Sequence, residues 1–219
     1  MAPRVALDHP WLTLELEQPM QVLSWAINRP GFVFTRRIVW REVCNADLPE
    51  ELNVREWLCQ DLAERGEAES VAFLTSRNLN QFQTANAHAN EASAFAIATV
   101  GLSNAERVGS RQGTAAQKYG TINIAALLNT ALSQTGLIEA QSIVVQARTA
   151  AVLDADIRLE TGRATGTGTD CVAVAAPVGT TDYAGLHTDV GEALGRAVYD
   201  AVHAGAMEWK DEQDVVADA

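Results

Sequence analysis

The sequence predicts an α+β fold: a single domain in which a mixed or mainly antiparallel sheet packs against two long C-terminal helices and one shorter helix. Three observations point there. Alternating apolar and polar residues fill the first third, two charge-free runs stand mid-chain, and two long stretches towards the C-terminal end carry apolar residues at helical steps.

Residues 11–17 alternate, 21–27 follow, 28–31 supply turn residues and 37–44 alternate again, which predicts antiparallel strands. Residues 53–65 place Val54, Trp57, Leu58 and Leu62 at helical spacing and stop at Gly66, the pattern of a capped amphipathic helix. Residues 70–75 read as a short apolar strand. A polar stretch, 77–91, is rich in Asn and Gln. Residues 92–100 and 121–128 carry no charge, as strands enclosed on both faces require. Residues 137–153 leave almost no polar face, so that helix is expected to be largely enclosed. A further strand is expected at 170–176. Residues 186–203 repeat Val190, Ala193, Leu194, Ala197, Val198, Ala201 and Val202 at steps of three and four, a stripe that packs on a sheet. The domain is expected over 1–209, with 210–219 a frayed acidic tail.

At 219 residues and 47 % hydrophobic content the chain can bury one sizeable core. Sixteen Lys and Arg against 28 Asp and Glu leave a net charge of −12, a field that repels phosphate backbones and anionic membranes. Neither nucleic acid nor a membrane is expected as a partner. The uncharged stretch 119–138 is long enough to span a bilayer, but Thr121, Asn123, Asn129, Thr130 and Ser133 interrupt it, so it reads as core. Arg4, Asp8 and His9 precede any apolar run, nothing there resembles a cleavable signal, and a cytoplasmic location is expected. Cys44, Cys59 and Cys171 are odd in number and form no CxxC pair, which predicts buried thiols and argues against disulfides and zinc. His9 and His88 lack a second ligand at metal-site spacing, so no metal and no cofactor are expected. The apolar helical stripes allow a homodimer without requiring one.

Three stretches set glycine, hydroxyl and amide residues at the ends of apolar strands. The first, 99–107, holds Ser103, Asn104, Glu106 and Arg107. The second, 119–124, holds Gly120, Thr121 and Asn123; alternation with Ile122 and Ile124 puts Thr121 and Asn123 on one face of a strand. Facing inward, such polar side chains are costly unless hydrogen-bonded. The third, 164–170, holds Thr165, Gly166, Thr167, Gly168, Thr169 and Asp170, and its glycines let backbone N–H groups approach a ligand. No Lys follows these glycines and the segment precedes a strand, so neither ATP nor NAD is supported. His187 is placed by helical spacing at the start of the last helix, one turn before Val190 and aimed at the sheet, with Asp170 the obvious acid to pair with it. Each feature has a plainer alternative. Thr-Gly repeats make turns, Asn123 can be a satisfied core amide, His187 a hydrogen-bonded helix-start residue, and Asp170 a loop anchor. Arg148 reads as a structural ion pair with Asp154, Glu139 or Asp170, or as an orienting residue in the site.

Together these segments resemble the adenosylcobinamide amidohydrolase family of corrinoid-salvage enzymes. The strings that carry the resemblance are 98–105, 120–124, 146–151, 164–170 and 185–188 with Gly191 and Glu192; weaker echoes lie at 24–31 and 74–76. Where some family members carry Glu-Ala-Lys, this chain has Gln146-Ala147-Arg148. The resemblance implies hydrolysis of the amide joining adenosylcobyric acid to aminopropanol, with a small corrinoid as the partner and no cofactor beyond the substrate's own cobalt. His187, oriented by Asp170, is then expected to activate water, with Asn123 or glycine-loop N–H groups stabilising the oxyanion. Thr121 after Gly120 is a second candidate, a nucleophile exposed by self-cleavage. Ser103, Asn104, Glu106, Gly120, Arg148 and residues Thr165, Gly166, Thr167, Gly168 and Thr169 are expected to bind substrate. A non-catalytic corrinoid carrier is the alternative, since it needs the same neutral pocket without His187 or Asp170.

Overall fold

The computed structural model describes residues 3–49, 51–110 and 120–217. Its strands are β1 (Arg4–Asp8), β2 (Trp11–Ser24), β3 (Gly31–Glu42), β4 (Val71–Thr75), β5 (Gln83–Ala89), β6 (Ala92–Val100), β7 (Ala105–Glu106), β8 (Ile122–Leu128), β9 (Arg158–Leu159), β10 (Gly162–Arg163), β11 (Gly166–Thr167) and β12 (Cys171–Ala176). The α-helices are α1 (Val54–Glu64), α2 (Gln134–Asp154) and α3 (Asp189–Ala217). Eight strands form one sheet in the order β4-β3-β2-β12-β8-β6-β5, with β1 added on β2. The β12/β8 and β3/β4 pairs are parallel and the other pairs in this sheet antiparallel. This is the α+β architecture expected, with two long helices and one shorter helix.

The middle strands are apolar throughout because both of their faces are covered. Ala94, Ala96 and Ala98 of β6 and Ile122, Ile124 and Ala126 of β8 pack against α2 and α3. The intervening residues, Phe95, Ile97, Ala125 and Leu127, join a second core with Leu12, Leu14, Met20, Trp40 and Phe73 from the first half of the chain. That second core exists because the sheet twists over on itself. Strands β4 and β8 are separated by β3, β2 and β12 in the hydrogen-bonded order. Even so, the Asn123 side-chain amide on β8 donates to the Leu74 carbonyl on β4 at 2.7 Å. Helix α1 closes the outside of the curl, burying Leu58 and Leu62 against Trp11, Val39 and Ala72.

Four features differ from the sequence reading. Strand β2 is one strand, not two; its register shifts between Glu15 and Met20, where Glu17, Gln18 and Pro19 bulge into solvent, since proline has no N–H to give the ladder. Part of the polar stretch after β4 is strand β5, which turns Ala87 and Ala89 inward and its polar residues outward at the sheet edge. Helix α2 is less enclosed than its composition implies, with Ile138 56 % exposed. Helix α3 continues past Gly205 through the expected acidic tail to Ala217, because Glu208 and Glu212 have partners: Gln83 donates to Glu208 at 3.0 Å and Arg77 to Glu212 at 3.0 Å. Among the described residues no helix is long and apolar enough to cross a membrane.

Two helix glycines separate propensity from packing. A Cβ at Gly195 in α3 would make an ordinary contact with Ile143 at 3.5 Å, whereas one at Gly136 in α2 would collide with the Thr181 carbonyl. Gly195→Ala is expected to stabilise the protein by about 0.5–1 kcal/mol, the usual gain of alanine over glycine in a helix. Gly136→Ala is expected to destabilise it. Urea unfolding midpoints of the two variants compare them directly.

Candidate functional site

Strands β8 and β12 start side by side, Asn123 opposite Cys171, so the chain entering β8 and the loop entering β12 meet at one end of the sheet. The Asp170 carboxylate joins them. Its Oδ1 accepts from the Ile122 N–H at 3.2 Å and from the Thr167 hydroxyl at 2.5 Å; its Oδ2 accepts from the Thr167 N–H at 3.0 Å and pairs with the Arg148 guanidinium from α2. Both side chains of this pair are buried, 8 % and 15 % exposed. Burial lowers the Arg148 pKa from the usual guanidinium value. Gly166 lies so close over the pair that a Cβ there would stand 2.5 Å from Asp170 Oδ2 and collide with Arg148.

Thr121 and Asn123 share one face of the chain, as their alternation predicts, and both are buried. The Asn123 Nδ2 bond to Leu74 turns Oδ1 towards the Thr121 hydroxyl, 3.3 Å away. Thr121 Oγ1 also reaches the Thr169 carbonyl at 2.9 Å, and the Thr169 hydroxyl donates to the Gly120 carbonyl at 2.8 Å. Asn104 Nδ2 lies 3.4 Å from the Thr169 hydroxyl.

A cavity of about 490 Å³ opens over these groups. Gly120, Thr121, Asn123, Thr169 and Asp170 form its polar floor, and Phe73, Val43 and Leu48 are among its apolar walls. Trp25 and Ile27 stand at its edge, 44 % and 39 % exposed; the Trp25 indole N–H donates to the Asp170 carbonyl at 2.7 Å. Ser76, exposed at the end of β4, completes the rim.

The site thus gathers Asn104, Gly120, Thr121, Asn123, Thr169 and Asp170, while Gly166, Thr167 and Arg148 stand behind it as supports. Asp170 is the loop anchor of the alternatives given above; with four donors on its carboxylate it does not orient an imidazole. Ser103 is exposed in the turn after β6. Thr165 holds the neighbouring loop, its N–H donating to the Glu106 carbonyl at 2.9 Å and its hydroxyl accepting from the Val108 N–H at 2.8 Å, and neither Thr165, Glu106 nor Gly168 lines the cavity. His187 is not in the site. The Thr188 hydroxyl accepts from the Gly191 N–H at 3.0 Å and caps α3, so His187 precedes the helix in an exposed turn. That turn belongs to a loop held on the first turn of α2, where Ser133 N–H donates to the Thr181 carbonyl at 3.0 Å. From Gly136 to Arg148 the helix carries the chain roughly 18 Å at 1.5 Å per residue, so His187 lies at the far end of the sheet. Trp25, Phe73, Ser76 and Cys171 come to the cavity without having been expected there.

Cys44 and Cys59 are exposed, not buried. Cys171 lines the cavity, and burial pushes its thiol up to about 12. Among the described residues no group of three or more His, Cys, Asp or Glu side chains is placed to hold a metal.

A family model for adenosylcobinamide amidohydrolase matches residues 3–214. An uncharacterized protein of Methanocaldococcus jannaschii is 27 % identical to this chain, the match covering 85 % of this chain and 82 % of that protein. Among solved structures, a Burkholderia sp. beta-aminopeptidase aligns with TM-score 0.49 and 13 % identity, covering 94 % of this chain and 78 % of that one. A Pyrococcus horikoshii protein aligns with TM-score 0.46 and 9 % identity, covering 89 % and 76 %.

Two outcomes follow from the site's geometry. Asp170→Ala leaves the Arg148 guanidinium buried without its partner and is expected to cost about 3–5 kcal/mol in urea unfolding. Thiolate is the species that alkylates, and a raised pKa keeps Cys171 protonated at pH 8. Iodoacetamide at that pH is therefore expected to modify Cys44 and Cys59 and to spare Cys171, as read by peptide mass spectrometry.

Proposed function

The chain belongs to the adenosylcobinamide amidohydrolase family, and from that membership we propose that it hydrolyses the amide joining adenosylcobyric acid to aminopropanol, freeing adenosylcobyric acid for re-entry into cobamide assembly. The observation that carries the reading is a cavity with apolar walls, its Asp170 carboxylate paired with Arg148, and the Thr121 hydroxyl on its floor. A corrinoid is bulkier than the ligands a cavity of about 490 Å³ encloses. The cavity therefore takes the side chain that bears the scissile amide, and the macrocycle lies over the mouth, against Trp25 and Ile27. Corrinoid amide groups are neutral, and Ser76, Thr169 and Asn123 offer neutral partners.

In this reading Thr121 Oγ attacks the amide carbon. The C–N bond breaks, aminopropanol leaves with the proton that Oγ gives up, and an ester to Thr121 remains; water then adds to the ester, releasing cobyric acid and restoring the hydroxyl. Asn123 has two N–H donors, one on the Leu74 carbonyl, and the other is assigned to the oxyanion. Burial pushes the Cys171 thiol up to about 12 and leaves it little thiolate for attack, and His187 lies away from the cavity.

The test is product analysis by mass spectrometry with adenosylcobinamide as substrate. Release of aminopropanol and adenosylcobyric acid is expected; binding without turnover marks a carrier and contradicts the reading. Thr121→Ala is expected to lower kcat by roughly 10³-fold or more, and His187→Ala to leave it near the parent value.

A further inference from the structure

The hydrolase reading leaves the Thr121 proton without a base among the described residues. Among the described residues no histidine lines the cavity, the Asp170 carboxylate is taken up by Arg148, Thr167 and Ile122, and Asn123 offers only an amide oxygen. A threonine at the start of a chain needs no such neighbour, because its own α-amine takes the proton.

The atoms around the Gly120–Thr121 peptide bond are arranged to make that amine. Thr169 grips the bond from both sides. Its hydroxyl donates to the Gly120 carbonyl at 2.8 Å, on the oxygen that would carry negative charge if the carbonyl carbon were attacked, and its carbonyl holds the Thr121 hydroxyl at 2.9 Å. A separate observation lies on the other side of Gly120. Asn104 Oδ1 is buried and has no hydrogen-bond partner among the described residues, and a Cβ on Gly120 would stand 2.8 Å from it. An unpaired buried acceptor is costly. That unpaired acceptor beside Gly120 is open to a donor released at the Gly120–Thr121 bond.

We propose that the chain cleaves its own Gly120–Thr121 bond and that the α-amine so formed on Thr121 is the base for amide hydrolysis. Thr121 Oγ closes onto the Gly120 carbonyl carbon, its proton passes to the departing Thr121 nitrogen, the C–N bond breaks and an ester links Gly120 to Oγ. Water adds to that ester, giving the Gly120 carboxylic acid and returning the proton to Oγ. One water is consumed, no electrons are transferred, and no co-reactant is needed. In the second role the inference rests on the reading of Thr121 as nucleophile; in the first it stands alone.

Intact mass of the purified full chain under denaturing conditions, with N-terminal sequencing, tests it. Two species are expected, one ending at Gly120 and one beginning with Thr121, their masses summing to the 23.5 kDa chain plus one water. Thr121→Ala is expected to remain one species with an unchanged circular dichroism spectrum, Thr121→Ser to be cut, and Thr169→Val to be cut at least 10-fold more slowly. A parent chain that stays at 23.5 kDa after prolonged incubation overturns the proposal, as does a Thr121→Ala chain cut at the same bond. An uncut chain that still releases aminopropanol sinks self-cleavage and leaves the hydrolase reading standing; a cut chain inert on adenosylcobinamide does the reverse.

Discussion

The Arg148–Asp170 pair is the joint on which the site is built. One carboxylate binds a guanidinium from α2, the loop at Thr167 and the backbone where β8 begins. Three segments distant in sequence are thereby fixed at one end of the sheet. A buried ion pair adds little net stability compared with apolar residues of the same shape, so its value here lies in geometry. With Asp170 in place, the next residue back, Thr169, reaches both Gly120 and Thr121. The polar floor is a consequence of the anchor.

The walls come from a different constraint, the twist of the sheet. Because β4 swings over β8 far enough for Asn123 to bond Leu74, Phe73 and Ser76 share a cavity with Thr121 although three strands lie between β4 and β8 in the sheet. The result is an uncharged pocket in a chain of net charge −12, with its carboxylate neutralised by an arginine and its thiol held protonated. Such a lining suits a substrate whose side chains are amides. In the proposed reading the Thr121 hydroxyl is the group that breaks one of them.

Much of this is legible in the sequence, and what is missed has identifiable causes. Thr121 and Asn123 alternate with isoleucines, and period-two geometry alone puts them on one face; their burial and mutual bond agree with that. The glycine-threonine string 164–170 reads as the third polar stretch at a strand end; in the structure only Thr169 and Asp170 of it line the cavity, Thr169 against Gly120 and Asp170 as the anchor of the loop. The helical spacing of Val190 and its successors, carried back over His187, crosses the cap at Thr188 and so puts the imidazole on a helix that in the structure begins only after it, at Asp189. Phe73 leaves no local signal of its place, and Trp25 and Ser76 only the weaker echoes at 24–31 and 74–76, since the curl of the sheet brings all three to the cavity. Strand β5 was hidden by Asn and Gln, which an edge strand can hold because one of its faces meets water.

The most direct test of the central claim, that the anchored end of the sheet receives the corrinoid, is a structure of the Thr121→Ala protein with intact adenosylcobinamide bound. The aminopropanol amide should lie over position 121 beside Asn123, with the corrin ring against Trp25 and Ile27. A corrinoid seated instead at the far end of the sheet, near His187, would contradict it.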